Sequence, residues 1–148
     1  AYYFAGEVYR EMGRYEEAIA EYEQALVINP QYYLSRLNNG ACYVALRKHA
    51  QAAEQFQAAI AIDPDRAEAY YHLGEVYLAQ GQFEQAREPY QQAIERDSRL
   101  TGAYVGLGKV YLFWDDCPSA IAQFTQALRF EPKNVEAQEG LAACAGEK

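Results

Sequence analysis

Histidine, cysteine and positive charge are all scarce in this chain, and each shortage excludes a class of function. The 148 residues hold two histidines, His49 and His72, and three cysteines, Cys42, Cys117 and Cys144. None of them stands at zinc-ligand spacing. No Ser/His/Asp or Cys/His arrangement, phosphate-binding glycine loop or cofactor fingerprint accompanies them. No enzyme, cofactor or metal site is therefore expected. Against 21 acidic residues there are 13 basic ones, for a formal net charge of −8. A polyanion would meet repulsion, so neither nucleic acid nor an anionic membrane is an expected partner. No apolar run approaches the ~20 residues a spanning helix needs, which excludes membrane insertion by helices. No basic region followed by an apolar one marks a signal peptide. With too few cysteines for a disulfide framework, free thiols and a reducing, cytoplasmic compartment are expected. The chain begins at Ala1 rather than Met, as a piece of a longer protein would.

What is present is repetition. Pro30, Pro64 and Pro132 lie on a 34-residue grid whose remaining member is Ser98. Gly6, Gly40, Gly74 and Gly108 share the grid, as do Tyr9, Tyr43, Tyr77 and Tyr111. Alanine columns follow at 18, 52, 86, 120 and at 25, 59, 93, 127, with Tyr22, Phe56, Tyr90 and Phe124 between them. Period comes before all else in such a chain, because it means stacked units. Within a unit, Tyr70, Leu73, Gly74 and Tyr77 form the i, i+3, i+4, i+7 stripe of one helix. A turn at Gly13, Gly81 or Asp115–Asp116 follows, then a second helix with Ala86, Tyr90 and Ala93 on one face. Asn29-Pro30 and Asp63-Pro64 end that second helix, since proline cannot continue it. A helical glycine costs ~1 kcal/mol against alanine, so four of them imply close helix approach. The expected arrangement sets the glycine column against an alanine column, with the large Tyr and Phe columns filling the space beside them. In the second unit Arg36 and Asn39 replace apolar residues and should weaken its core. Pro89 should kink or tighten its helix near Gln85 to Arg87, whereas Asp116 and Pro118 suit a helix start.

The pattern aromatic-x2-Leu-Gly-x2-Tyr, then Ala-x3-(Phe/Tyr)-x2-Ala, then Pro, resembles the tetratricopeptide repeat. The resemblance implies an all-α, right-handed α-solenoid of antiparallel helix pairs. A single domain over 1–148 is expected, with units of about 1–32, 33–66, 67–100 and 101–132 and a terminal capping helix at 133–145. It also implies that the first helices line a concave face and that function is protein binding, as scaffold or adaptor.

Columns one step off the core stripe vary between units, as a binding groove would. They read Tyr3, Leu37, Tyr71, Val105; then Glu7, Ala41, Glu75, Lys109; then Arg10, Val44, Leu78, Leu112. Leu34, Asn38, Glu68, His72 and Phe113 complete the candidate peptide groove. Such a surface suits an extended or helical peptide at about micromolar affinity. The repeats that grip acidic chaperone tails resemble one another in a basic, asparagine-rich clamp. Here those columns hold Tyr3, Glu7 and Glu68, with only Asn38 and His72 suggestive; Glu7 and Glu68 would repel a carboxylate, so that ligand is not expected. Gly102 and Gly106 either open a pocket beside Tyr71, His72 and Lys109 or are merely tolerated. Phe113 and Trp114 either anchor a ligand or pack on the terminal helix. Tyr2, Tyr3 and Phe4 head the first helix with nothing before them. They suggest missing upstream repeats or homo-oligomerisation through first-repeat aromatics. Cys42 and Cys144 share a column with valines but lie too far apart to bond. Cys117 and Cys144 could be neighbours, and are still expected as thiols.

Overall fold

The computed structural model describes residues 1–146, and these form helices joined by short turns. In order they are α1 (Tyr2–Glu11), α2 (Tyr15–Ile28), α3 (Tyr33–Ala45), α4 (His49–Ile62), α5 (Ala67–Ala79), α6 (Phe83–Arg96), α7 (Thr101–Phe113), α8 (Cys117–Phe130) and α9 (Val135–Gly146). Each helix packs on its chain neighbours, and α3, α5, α7 and α9 also touch in series. The result is an all-α solenoid, with α1, α3, α5, α7 and α9 on one side. Its apolar core is four separate clusters, each shared by neighbouring helices. That is how a stack without a centre holds together.

The turn inside each helix pair is the same device four times. Arg14, Lys48, Gln82 and Asp116 each donate a backbone N–H to the carbonyl five residues back, at 2.8–2.9 Å. The residue before each, Gly13, Arg47, Gly81 or Asp115, has φ of 74°, 58°, 72° or 57°. This is a left-handed helix cap. Glycine adopts it freely, whereas Arg47 and Asp115 do so against their Cβ atoms. The turn between pairs is also repeated. Asn29, Asp63 and Asp97 each accept, on a side-chain oxygen, the N–H two residues on, at 3.1–3.2 Å. At α8 the expected start is found. Asp116 Oδ1 accepts Ser119 N–H at 3.2 Å, with Pro118 in the first turn. Helix α6 runs unbroken through the buried Pro89.

The glycines do not face alanines as expected. A Cβ on Gly6, Gly40, Gly74 or Gly108 would lie 2.4–2.9 Å from the ring of Tyr22, Phe56, Tyr90 or Phe124. Those rings are fully buried, so the glycines are absent side chains that admit an aromatic edge. Gly106 and Gly140 do the same from the next pair, against Tyr90 and Phe124, at 2.2 and 2.3 Å. Two of the rings therefore sit between two glycines.

The expected weakness of the second pair is visible in its polar atoms. Ser35 and Asn39 are completely buried, where the equivalent positions carry alanine and leucine. Ser35 Oγ and both amide atoms of Asn39 lack a hydrogen-bond partner.

The expectation of free thiols fails. Cys117 and Cys144 form a disulfide across 27 residues of chain, with Cα atoms 5.6 Å apart. The antiparallel run of α8 and α9 brings the start of one beside the end of the other. Cys42 is free and buried, and burial pushes its thiol up to about 11.

Candidate functional site

The first helix of each pair contributes side chains to one face, and α9 extends it. The residues predicted for a groove fall into two polar clusters with a less polar stretch between them.

The first cluster centres on Glu7. Its carboxylate accepts hydrogen bonds from the Tyr22 hydroxyl, from Asn38 Nδ2 at 3.0 Å, and from Arg10 at 3.2–3.3 Å. Asn38 Nδ2 also donates to the Tyr3 hydroxyl at 3.1 Å. The Tyr3 ring lies 5.0 Å from Tyr32 and 5.9 Å from Tyr22. Burial raises the carboxyl pKa of Glu7, but the bonds from Arg10, Tyr22 and Asn38 outweigh it and hold the group below its ordinary value.

The second cluster centres on Glu75, which accepts the hydroxyl of Tyr90. The Glu75 side chain is exposed overall, but its carboxyl is partly desolvated by its neighbours, and this raises it against the Tyr90 bond and the Lys109 charge. Lys109 is paired with Glu136 on α9. Tyr71 stands beside Tyr90 at 6.2 Å, its hydroxyl pushed up to about 12 by burial and by Glu75.

Between them, His72 stacks on Phe56 at 5.3 Å, and burial lowers its pKa, which keeps it neutral at pH 7. Ala41 is half-buried and Glu68 exposed. Leu34, Leu78 and Leu112 are half-buried and lean on the core clusters. Two predicted groove residues are not surface at all. Leu37 is 8% exposed and Val105 5%, both packed into core clusters. The step from core to groove is narrower at these two positions than the column offset implies.

The extra glycines open no pocket. A Cβ on Gly102 would lie 2.7 Å from the Tyr71 hydroxyl, and one on Gly106 would enter the Tyr90 ring. The space is filled by those two tyrosines. Phe113 does not pack on the terminal helix either. It stacks on Phe83 at 3.8 Å with the rings 5° from parallel. Trp114 packs on the cluster of Ala86 and Tyr90, with the Arg87 guanidinium over its ring.

Sequence reasoning missed Glu136, although it shares the 34-residue column of Leu34 and Glu68. It also treated Tyr22 and Tyr90 as core alone, although their hydroxyls reach this face. The face has shallow relief. A depression of about 360 Å³ lies between Lys109, Leu112, Glu136 and Gly140. A larger one, about 610 Å³, lies away from the predicted residues, among Glu88, Gln91, Tyr104, Tyr111 and Gln126. Among the described residues no group of three or more His, Cys, Asp or Glu side chains could hold a metal ion. No described helix is long and apolar enough to cross a membrane.

Two family models match the chain, one described as tetratricopeptide repeat over residues 39–100 and one as TPR repeat over residues 6–47. No curated protein matches it by sequence. Among solved structures, MamA superposes with a TM-score of 0.90 at 25% identity, over 96% of this chain and 83% of MamA. YrrB, described as a TPR protein with an unusual peptide-binding site, gives 0.84 at 20% identity, over 99% of this chain and 75% of its own. The first TPR of Spaghetti (RPAP3), solved with an HSP90 peptide, gives 0.77 at 20% identity, over 79% and 93%.

Proposed function

Because the chain belongs to the tetratricopeptide repeat family, we propose that it is a non-catalytic protein-interaction scaffold. It holds a peptide or a helix of a partner protein against the face of α1, α3, α5, α7 and α9. The observation that carries this reading is the pair of fixed polar clusters. Glu7 and Glu75 are already oriented by Tyr22 and Tyr90. A ligand meeting them has little side-chain freedom to quench, which favours binding. Peptide binding described for YrrB and for RPAP3 supports the class of function. The ligand is not an acidic tail, because Glu7 and Glu68 would repel it and Asn38 is committed to Tyr3 and Glu7.

The test is affinity capture from source-cell lysate with three forms of the chain. One is wild type. The second carries Ala41→Arg with Lys109→Glu on the face, and the third Phe4→Ser with Val8→Ser on α1. Each must remain helical by circular dichroism. A partner lost only with the second places binding on the face. A partner retained by the second moves the site elsewhere.

A second reading, self-association, has its own observation. Phe4 and Val8 on α1, and Met12 at its C-cap, are 70%, 57% and 60% exposed. At the position of Val8, the later units bury Cys42, Val76, Val110 and Cys144. Elution volume that shifts with concentration in wild type, and not in Phe4→Ser with Val8→Ser, would favour it.

A further inference from the structure

Helix α9 is weakly rooted. It has 12 residues, and a helix that short is marginal by itself. Gly140 and Gly146 lie within it, and glycine is a poor helix former. What it buries is small: Ala137, Gly140 and Cys144. Leu141 is half-buried, and its other large aliphatic residue, Val135, is 61% exposed. At its amino end it is held by Asn134, whose Oδ1 accepts Ala137 N–H at 2.9 Å, and by the Lys109–Glu136 pair. At its carboxyl end the bond from Cys144 to Cys117 fastens it to the start of α8.

We propose that this disulfide is a reducible staple that sets whether α9 stays docked. Bonded, α9 walls the C-terminal end of the face, covers the Phe124 ring with Gly140 and pairs Glu136 with Lys109. Reduced, α9 opens locally, and the face loses Glu136 and gains a free Lys109 ammonium. The reductant is a dithiol protein or a small dithiol. Its thiolate attacks Sγ of Cys117, the more accessible of the two cysteines. The electron pair of the broken S–S bond leaves on Cys144, which takes a proton. The second thiol of the reductant then attacks the mixed disulfide and releases Cys117. The protein gains two electrons and two protons, and the reductant becomes a disulfide. This inference rests on the fold and not on the partner proposed above.

The experiment uses the full chain, oxidised with glutathione disulfide and compared with the same sample in dithiothreitol. A peptide map of the oxidised form should join Cys117 to Cys144. Amide hydrogen exchange should then speed up in α9 by about tenfold or more on reduction, while α3 to α6 stay unchanged. Cys117→Ser should reproduce the fast exchange without reductant, with α3 to α6 reporting that it is folded. Two results would overturn the proposal. One is alkylation of both Cys117 and Cys144 in the oxidised, folded protein. The other is α9 protection that reduction leaves unchanged. Cys42, wholly buried, should resist alkylation throughout and so report integrity.

Discussion

The hydroxyl of Tyr90 donates to the carboxylate of Glu75, and the same pair recurs as Tyr22 and Glu7, each partner 15 residues from the other. Where the buried ring is phenylalanine, as in Phe56 and Phe124, the matching position holds Ala41 or Lys109. The chain thus supplies a carboxylate only where a phenol needs an acceptor. A buried hydroxyl left without one costs more than the bond itself is worth.

Tyr90→Phe is expected to destabilise by about 1.5–3 kcal/mol, the worth of a hydrogen bond to a charged group. Adding Glu75→Ala should recover part of that loss, since it recreates the Phe56 and Ala41 pairing. Urea midpoints for the four members of the cycle would test this. Strictly additive losses would mean that the two side chains are not coupled.

The two carboxylates should respond to pH with opposite signs. Glu7 titrates below its ordinary 4.5 in the fold. Its stabilisation is present above the unfolded pKa and lost as pH falls through the folded one. Glu75 titrates above 4.5. Its contribution is fullest below the unfolded value and declines as pH rises through the folded one. Glu7→Gln should therefore cost more at about pH 7 than at about pH 3, and Glu75→Gln less. Chemical denaturation of both variants across that range would decide it, and parallel curves would count against the assignment.

Gly106→Ala should destabilise by about 1–3 kcal/mol despite alanine's better helix propensity, because its Cβ would meet the Tyr90 ring at 2.2 Å. Gly102→Ala should cost less. Its clash is with the end of Tyr71, half-buried and able to move. Melting temperatures in the reverse order would undo the account of these glycines as ring contacts.

Ser35→Ala with Asn39→Leu should stabilise by about 1–3 kcal/mol, by removing buried polar groups that lack partners. The replacements are those found at equivalent positions in α5 and α7. A fall in melting temperature would mean that these atoms are satisfied in solution.

Arg47→Gly should add about 1 kcal/mol, since its φ of 58° suits glycine and disfavours any side chain. Lys48 N–H already bonds the Tyr43 carbonyl at 2.8 Å, so the turn itself need not change. Thermal unfolding of the single variant would check it.

The fold was legible because period and proline placement are local, repeated signals. Columns such as Gly74 and Tyr77 announce a helix whatever lies beside it. What the columns could not say is which neighbour a side chain meets. Gly74 was expected against alanine and meets Tyr90 instead, because the two helices present faces that only packing decides. The candidate face was legible as a set of helices but not residue by residue. Leu37 and Tyr71 occupy one column, yet Leu37 is absorbed by the core cluster of Phe56, and Tyr71 is half-buried against Gly102. The disulfide was half legible. The antiparallel return of α9 marks Cys117 and Cys144 as neighbours, but the small number of cysteines argues for thiols, and the bond itself is seen only with the Cα atoms 5.6 Å apart.

The rings of Tyr90 and Phe124, each pressed between glycines of two successive pairs, work as washers. The width of one aromatic ring sets how far the third helix pair stands from the fourth, and the fourth from α9. On the function proposed above, a ligand laid along the face would read that spacing as a ruler. Exchanging Phe124 for a larger or smaller group would alter the distance between α7 and α9 while leaving the polar groups of the face in place. Spacing along this surface is therefore governed from inside the wall, by rings whose faces and edges are buried between the helices.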